Sequence, residues 1–187
     1  MAPRGWSLPR TVEVCGMQYA INADFRDILD IIARLSDINT PEQERTYVAL
    51  ALFYRDFDIM PWEHYADAVQ QLQSFMNCGN EDSGPPSPKL IDWEQDQAMI
   101  VADVNKVAGR EIREMPFCHW WTFVAWFNGI GEGQLSTVVA IREKRRKGKK
   151  LSDWEKEFYR AHRKKVDFRR SYTEAEDQLL DKWLGKT

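Results

Sequence analysis

The chain has 187 residues, 43% hydrophobic and 29% charged, proportions of a soluble globular domain with or without a tail. No apolar stretch approaches the roughly 20 residues of a membrane span. The first ten residues, MAPRGWSLPR, lack a signal peptide's apolar centre, and Cys15, Cys78 and Cys118 are too scattered for a disulfide framework, so the expectation is a reduced, soluble protein of a cytoplasm.

From the amino terminus, TVEVCGMQYAI reads as a β-hairpin with a two-residue turn at Gly16-Met17, pairing Val14 with Tyr19 and Val12 with Ile21. A lone hairpin is marginal, so one of its faces must pack on something. Three amphipathic helices follow. The first places Phe25, Ile28, Leu29, Ile32 and Leu35 on one stripe after a cap at Asn22 or Asp24. The second opens with Thr40 as N-cap, Pro41 at the first helical position and Gln43 in reach of a capping box. The third carries Trp62, Tyr65, Val69, Leu72 and Met76 at helical spacing, with Gly79 as C-cap.

GNEDSGPPSPK, residues 79–89, is a linker by its Gly, Ser and Pro content. It divides residues 11–78, the hairpin plus three helices, from a second helical subdomain over 90–184. The expected class is therefore mainly α: an N-terminal β-hairpin followed by a helical bundle in two subdomains. The second half opens at Asp92 as N-cap, with Trp93, Ile100, Val104 and Val107 inward. Next comes FCHWWTFVAWF, residues 117–127, six of eleven residues aromatic, read as a helix starting near Pro116. Apolar nearly all round, it is either a buried central helix or a face for another chain. NGIGEG breaks it. A helix apolar up to Ile141 and basic afterwards follows, and then one with a Ser152–Glu155 capping box and a Leu151, Trp154, Phe158, Ala161 stripe. A closing helix has a Thr173–Glu176 capping box and an apolar side of Leu179, Leu180, Trp183 and Leu184.

The net charge of −3 hides a division. Residues 142–170 hold fourteen Lys or Arg against five Asp or Glu, +9, and the remainder twelve against twenty-four, −12. Such asymmetry points to an anionic partner, to pairing within the molecule or between copies, or to a solvated helix face.

Catalytic and metal motifs are missing. His64, His119 and His162 have no Cys at zinc-ligand spacing. Gly129, Gly131 and Gly133 lack the preceding strand and the Gly-Lys-Ser/Thr ending of a phosphate loop. Asp92, Glu94 and Asp96 are explained by helix capping and the helix dipole. The expectation is a non-enzyme with no metal and no cofactor. Arg142, Lys144, Arg145, Arg146, Lys147, Lys149 and Lys150 have the density to contact several phosphates. Their aromatic neighbours fall at core spacing, however, and the acidic remainder would repel nucleic acid.

Four stretches, YAINADFRDIL, LIDWEQDQAMIVADVNKVAGREIR, HWWTFVAWFNGIGEG and IREKRRKGKKLSDWEKEFYR, together resemble the bacteriophage gene-product-fifteen family of long-tailed phages and prophages of Gram-positive bacteria. The resemblance runs from about residue 11 to 172. It implies a tail assembly chaperone, non-enzymatic, in the cytoplasm of the bacterial host. Its partners would be the tape measure protein, the major tail tube protein and further copies of itself, with no membrane and no nucleic acid. It carries over no binding residues. The residues themselves nominate Trp120, Trp121, Phe123 and Trp126 for core or groove, and Arg145, Arg146, Lys147, Lys149 and Lys150 for acidic partners. Two alternatives stand beside this reading: a structural tail or neck component retained in the virion, and a nucleic-acid-binding phage protein.

Overall fold

In the computed structural model, residues 7–80 and 88–169 are described. The closing helix expected over 173–184 and residues 81–87 of the linker lie outside them. The fold is mainly α with an amino-terminal hairpin, β1 (Thr11–Val14) and β2 (Met17–Ala20). The first half continues with α1 (Phe25–Leu35), α2 (Glu42–Phe53), two 3-10 turns at Phe57–Ile59 and Trp62–His64, and α3 (Tyr65–Met76). The second half holds α4 (Gln97–Ala108), a 3-10 turn at Ile112–Glu114, α5 (Trp120–Asn128), α6 (Gln134–Arg146), α7 (Asp153–Ala161) and α8 (Arg163–Val166).

The hairpin register differs from expectation. Val14 pairs with Met17 and Val12 with Tyr19, and the turn is Cys15-Gly16. Both turn residues have positive φ, 48° and 78°, the signature of a type I′ turn, whose twist suits a two-residue hairpin. The register slips by two residues, so Val14 and Tyr19 still point inward and are buried. Asp67 of α3 holds the Cys15 backbone N–H at 2.6 Å, which offsets the cost of a non-glycine residue there.

Asp24 caps α1, accepting from Arg26 N, and its other oxygen accepts from Cys118 N at 2.9 Å. This carboxylate stitches the two halves of the chain together. Around it, Phe25 N donates to Cys118 O and Trp120 N donates to Ala23 O. The Phe25 and Phe123 rings stack at 4.7 Å. Trp120 and Trp121 send their indole N–H groups to Met76 O and Phe75 O at the end of α3. Buried residues of both halves belong to one hydrophobic cluster. Each fully buried Phe in it contributes about 1.5–3 kcal/mol.

Several helix boundaries move from their expected places. α2 is preceded by Pro41 with no side-chain cap, because the Thr40 hydroxyl donates to Asp37 instead. The third helix begins at Tyr65 after a 3-10 turn; its buried residues are Ala68, Leu72 and Phe75, and Trp62 is exposed. Asp92 caps the turn before α4, accepting from Glu94 N and Gln95 N, while α4 itself starts at Gln97. Val107 is exposed rather than inward. α5 starts at Trp120 rather than near Pro116, because Cys118 is engaged with Asp24 and Phe25, and His119 Nδ1 caps Trp121 N. On α7 the expected inner stripe is half open, with Trp154 exposed and Glu155 buried in its place.

Candidate partner-binding surfaces

The aromatic helix α5 is largely a core element. Trp120 is 3% exposed and Phe123 1%, so neither ring offers a face to another chain. Trp121 and Trp126 are half-buried against the same cluster. Trp121 shows an edge to a shallow groove of about 530 Å³ beside the hairpin, shared with Phe75 and Gly79. Polar groups, among them Glu13, Gln18, Asp67 and Gln71, make up much of that groove.

The helix is locked at its start by His119. Its Nδ1 accepts from Trp121 N, so Nε2 carries the proton and donates to Pro9 O at 2.9 Å. Burial pushes the imidazole below its ordinary value, aided by the nearby Arg10 charge. A protonated ring would lose the acceptor that caps α5.

Half of the basic tract's Lys and Arg residues are paired with carboxylates. Arg142 is buried, and its guanidinium makes a bidentate pair with the fully buried Asp96 carboxylate at 2.6 and 2.9 Å. Its remaining N–H groups reach Val166 O, Leu90 O and Lys165 O, each at 2.8 Å, and the Phe168 ring stands 4.1 Å away. One side chain thus ties α6 to α8 and to the segments before α4. Lys144 pairs with Glu155, Arg146 and Lys147 with Glu143, and Arg145 with Asp167 while lying over the Tyr159 ring. The Arg146 and Lys147 partners hold Glu143 down to about 2. Lys149 and Lys150 are exposed with no carboxylate partner among the described residues. Of the five cations nominated from the sequence, the other three are paired. Arg142 and Asp96, a buried bidentate pair, stand 46 positions apart in the sequence, one in the basic tract and the other among helix-capping residues.

In the NGIGEG break, Gly133 has a packing reason. A side chain at Gly133 would sit 2.5 Å from Asp103 Oδ2. That buried carboxylate reaches across from α4 to accept Leu135 N at 3.1 Å, capping α6, and Lys106 pairs with its other oxygen. Among the described residues no group of three or more His, Cys, Asp or Glu is placed to hold a metal ion. No helix of the described residues is long and apolar enough to cross a membrane.

The apolar surface lies elsewhere. An open groove of about 540 Å³ runs between α2 and α3, lined by Tyr47, Leu50, Tyr65, Ala66 and Val69, with Glu42, Gln43 and Thr46 at its polar side. Tyr47 meets the Phe57 ring edge-on at 5.0 Å, and Phe57 stacks on Tyr65 at 5.3 Å, so the first 3-10 turn buttresses one wall. The two turns also carry Ile59, 80% exposed, and Trp62, 75% exposed. Sequence reading assigned Trp62 to a core stripe and passed over Tyr47 and Ile59. The signal available was Pro61, which ends one turn and makes Trp62 the first residue of the next.

A family model described as Bacteriophage Gp15 protein matches residues 6–168. No curated protein and no solved structure matches the chain. With the match covering most of its length, the chain belongs to the bacteriophage Gp15 protein family.

Proposed function

We propose that this phage protein is a non-enzymatic tail assembly chaperone that holds an amphipathic helix of the tape measure protein in the α2–α3 groove. One observation carries the reading: an open apolar groove walled by Tyr47, Leu50, Tyr65 and Val69, with Ile59 and Trp62 exposed on the 3-10 turns that connect α2 to α3. Exposed aromatic surface on this scale is costly in water without a partner, and a groove between two helices is the usual seat for an apolar helical face. The role agrees with membership of the Gp15 family and with the expected soluble, cytoplasmic life of such a protein in the bacterial host.

A tape measure protein presents many similar helices in series. Several chaperone copies along it gain avidity from contacts with their neighbours. Head-to-tail contact between copies, and displacement by the major tail tube protein, complete the reading. Nucleic acid is a poor alternative ligand, because Arg142, Lys144, Arg145, Arg146 and Lys147 are already paired with carboxylates.

The test is co-expression with the tape measure protein. Wild-type protein keeps the large partner soluble and is pulled down with it, and Trp62→Ser reduces both. A partner that stays insoluble and unbound contradicts the proposal. Detection of this chain in purified mature virions would favour a retained tail or neck component instead.

A further inference from the structure

The hairpin has an open outer edge on β1. Ile21 N donates to Arg10 O at 3.1 Å, and the turn closes on the Val14–Met17 pair. Hydrogen-bonded pairs alternate along an antiparallel ladder, so Arg10, Val12 and Val14 direct their main-chain groups to β2, while Thr11 and Glu13 turn theirs outward. Among the described residues, no group pairs with the main-chain N–H and C=O of Thr11 and Glu13 on that side. The open stretch is bounded at both ends. Pro9 has no N–H and its carbonyl accepts from His119, and the Cys15 N–H is taken by Asp67. The outer edge of β2 is met by the segment after α2, where Arg55 N donates to Ala20 O.

The groove of about 530 Å³ beside the hairpin lies between this edge and α3. Val12, on the same face as the buried Val14, lines it together with Phe75 and Trp121, which makes an apolar floor. Its charged residues are Glu13 and Asp67, and no Lys or Arg lines it among the described residues. Both carboxylates have neutral hydrogen-bond partners: the Gln18 amide for Glu13, and the Cys15 N–H and Gln71 amide for Asp67. Arg10 stands instead over the Phe117 ring, outside the groove.

We propose that the β1 edge binds an extended, basic segment of another protein, which adds an antiparallel third strand between β1 and α3. The main chain of that segment pairs with Thr11 and Glu13 and supplies affinity, and its side chains supply selectivity. Side chains alternate along a strand, so residues opposite Thr11 and Glu13 share the Glu13 face, where Lys or Arg meets the carboxylate. The residues between them point to Val12, Phe75 and Trp121 and are apolar. From Pro9 to Cys15 the edge is about 20 Å long, room for about six extended residues. A second copy's β1 fits poorly, because it brings another Glu13 to an acidic edge. The surface uses Asp67, Gln71 and Phe75 of α3 rather than Tyr65, Ala66 and Val69, and it stands independently of the chaperone reading.

The test titrates the blocked hexapeptide acetyl-Lys-Val-Arg-Val-Lys-Val-amide into the full 15N-labelled chain, followed by NMR. Saturable binding at millimolar peptide is expected, with the Thr11 and Glu13 amides shifting and gaining protection from exchange. Glu13→Lys, at an exposed position, should weaken binding by about tenfold or more. N-methylation at the peptide's Lys and Arg nitrogens, which face β1 in this pairing, should abolish it. No saturable binding, affinity that survives N-methylation, or equal binding of acetyl-Glu-Val-Glu-Val-Glu-Val-amide overturns the proposal. Thr11 and Glu13 amides already protected in the free monomer overturn it too, since the chain itself would then fill the edge. Shifts at the same amides that change on dilution of the free protein identify a second copy as the occupant and likewise overturn it.

Discussion

Replacing Arg142 with Met strands the Asp96 carboxylate in an interior site where its side chain has no solvent exposure. The guanidinium supplies two hydrogen bonds to Asp96 and three to the carbonyls of Leu90, Lys165 and Val166. Once it is gone, the one donor left to the Asp96 carboxylate among the described residues is the Asp92 N–H at 3.0 Å. Breaking a buried pair from one side costs about 3–5 kcal/mol, because the remaining charge is left uncompensated. A domain of this kind is stable by about 5–15 kcal/mol in all, so the variant should unfold at markedly lower urea. Asp96→Asn should lose a similar amount, by leaving the guanidinium unbalanced. The double variant Asp96→Leu with Arg142→Met should recover part of the loss, though three carbonyls still lack donors. A coupling energy of about 2 kcal/mol or more between the two sites is expected. Urea unfolding followed by tryptophan fluorescence at pH 7 gives all three values. A loss below about 1 kcal/mol for Arg142→Met, the range of exposed pairs, would refute the argument that this pair is buried and structural.

Acid should destabilise the fold in two stages. The His119 imidazole is held below its usual value, so as pH falls through about 6.5 the unfolded chain takes up a proton that the folded one refuses, and stability drops. Burial alone would raise the Asp24 carboxyl, but hydrogen bonds from Arg26 and Cys118 outweigh it and hold the group low. Its contribution is present above the usual carboxylate range and is lost as pH falls through it. Thermal melts from pH 8 to pH 3 should show both declines, and His119→Gln should remove the first. Gly133→Ala should cost about 1–3 kcal/mol, since its methyl displaces the Asp103 carboxylate that caps α6; chemical denaturation checks it. Cys15→Asn, which suits positive φ at an exposed turn, should stabilise by about 0.5–1 kcal/mol and raise the melting temperature.

Local signals carried much of the fold. The hairpin, a cap at Asn22 or Asp24 and the Ser152–Glu155 capping box each depend on residues within a few positions, and the structure has the hairpin, the cap at Asp24 and the box. The hairpin register slipped because a type I′ turn accepts positive φ at Cys15 as well as at Gly16, and nothing local weighs that strain against the Asp67 hydrogen bond 52 residues away. The aromatic run was legible as core in Trp120 and Phe123, yet its helix start was hidden, since His119 and Cys118 are fixed by contacts to Pro9 and Asp24. The basic tract misled most. Charge density along a sequence does not reveal that Arg142 points inward to Asp96, 46 positions earlier, or that Glu143 neutralises two of its neighbours. The α2–α3 groove was invisible for a related reason: Trp62 and Tyr47 have the composition of core residues, and only the packing of α2 against α3 leaves them outside.

The central claim is that the α2–α3 groove receives an apolar helical face. Overlapping peptides covering the tape measure protein, titrated against the intact chain by fluorescence anisotropy, measure it most directly. The account predicts saturable binding of peptides with one apolar helical face. It also predicts a loss of tenfold or more in affinity, 1.4 kcal/mol, for both Trp62→Ser and Tyr47→Ser, with the unfolding free energy close to wild type. Equal affinity in the variants, or no binding by any peptide, would contradict it.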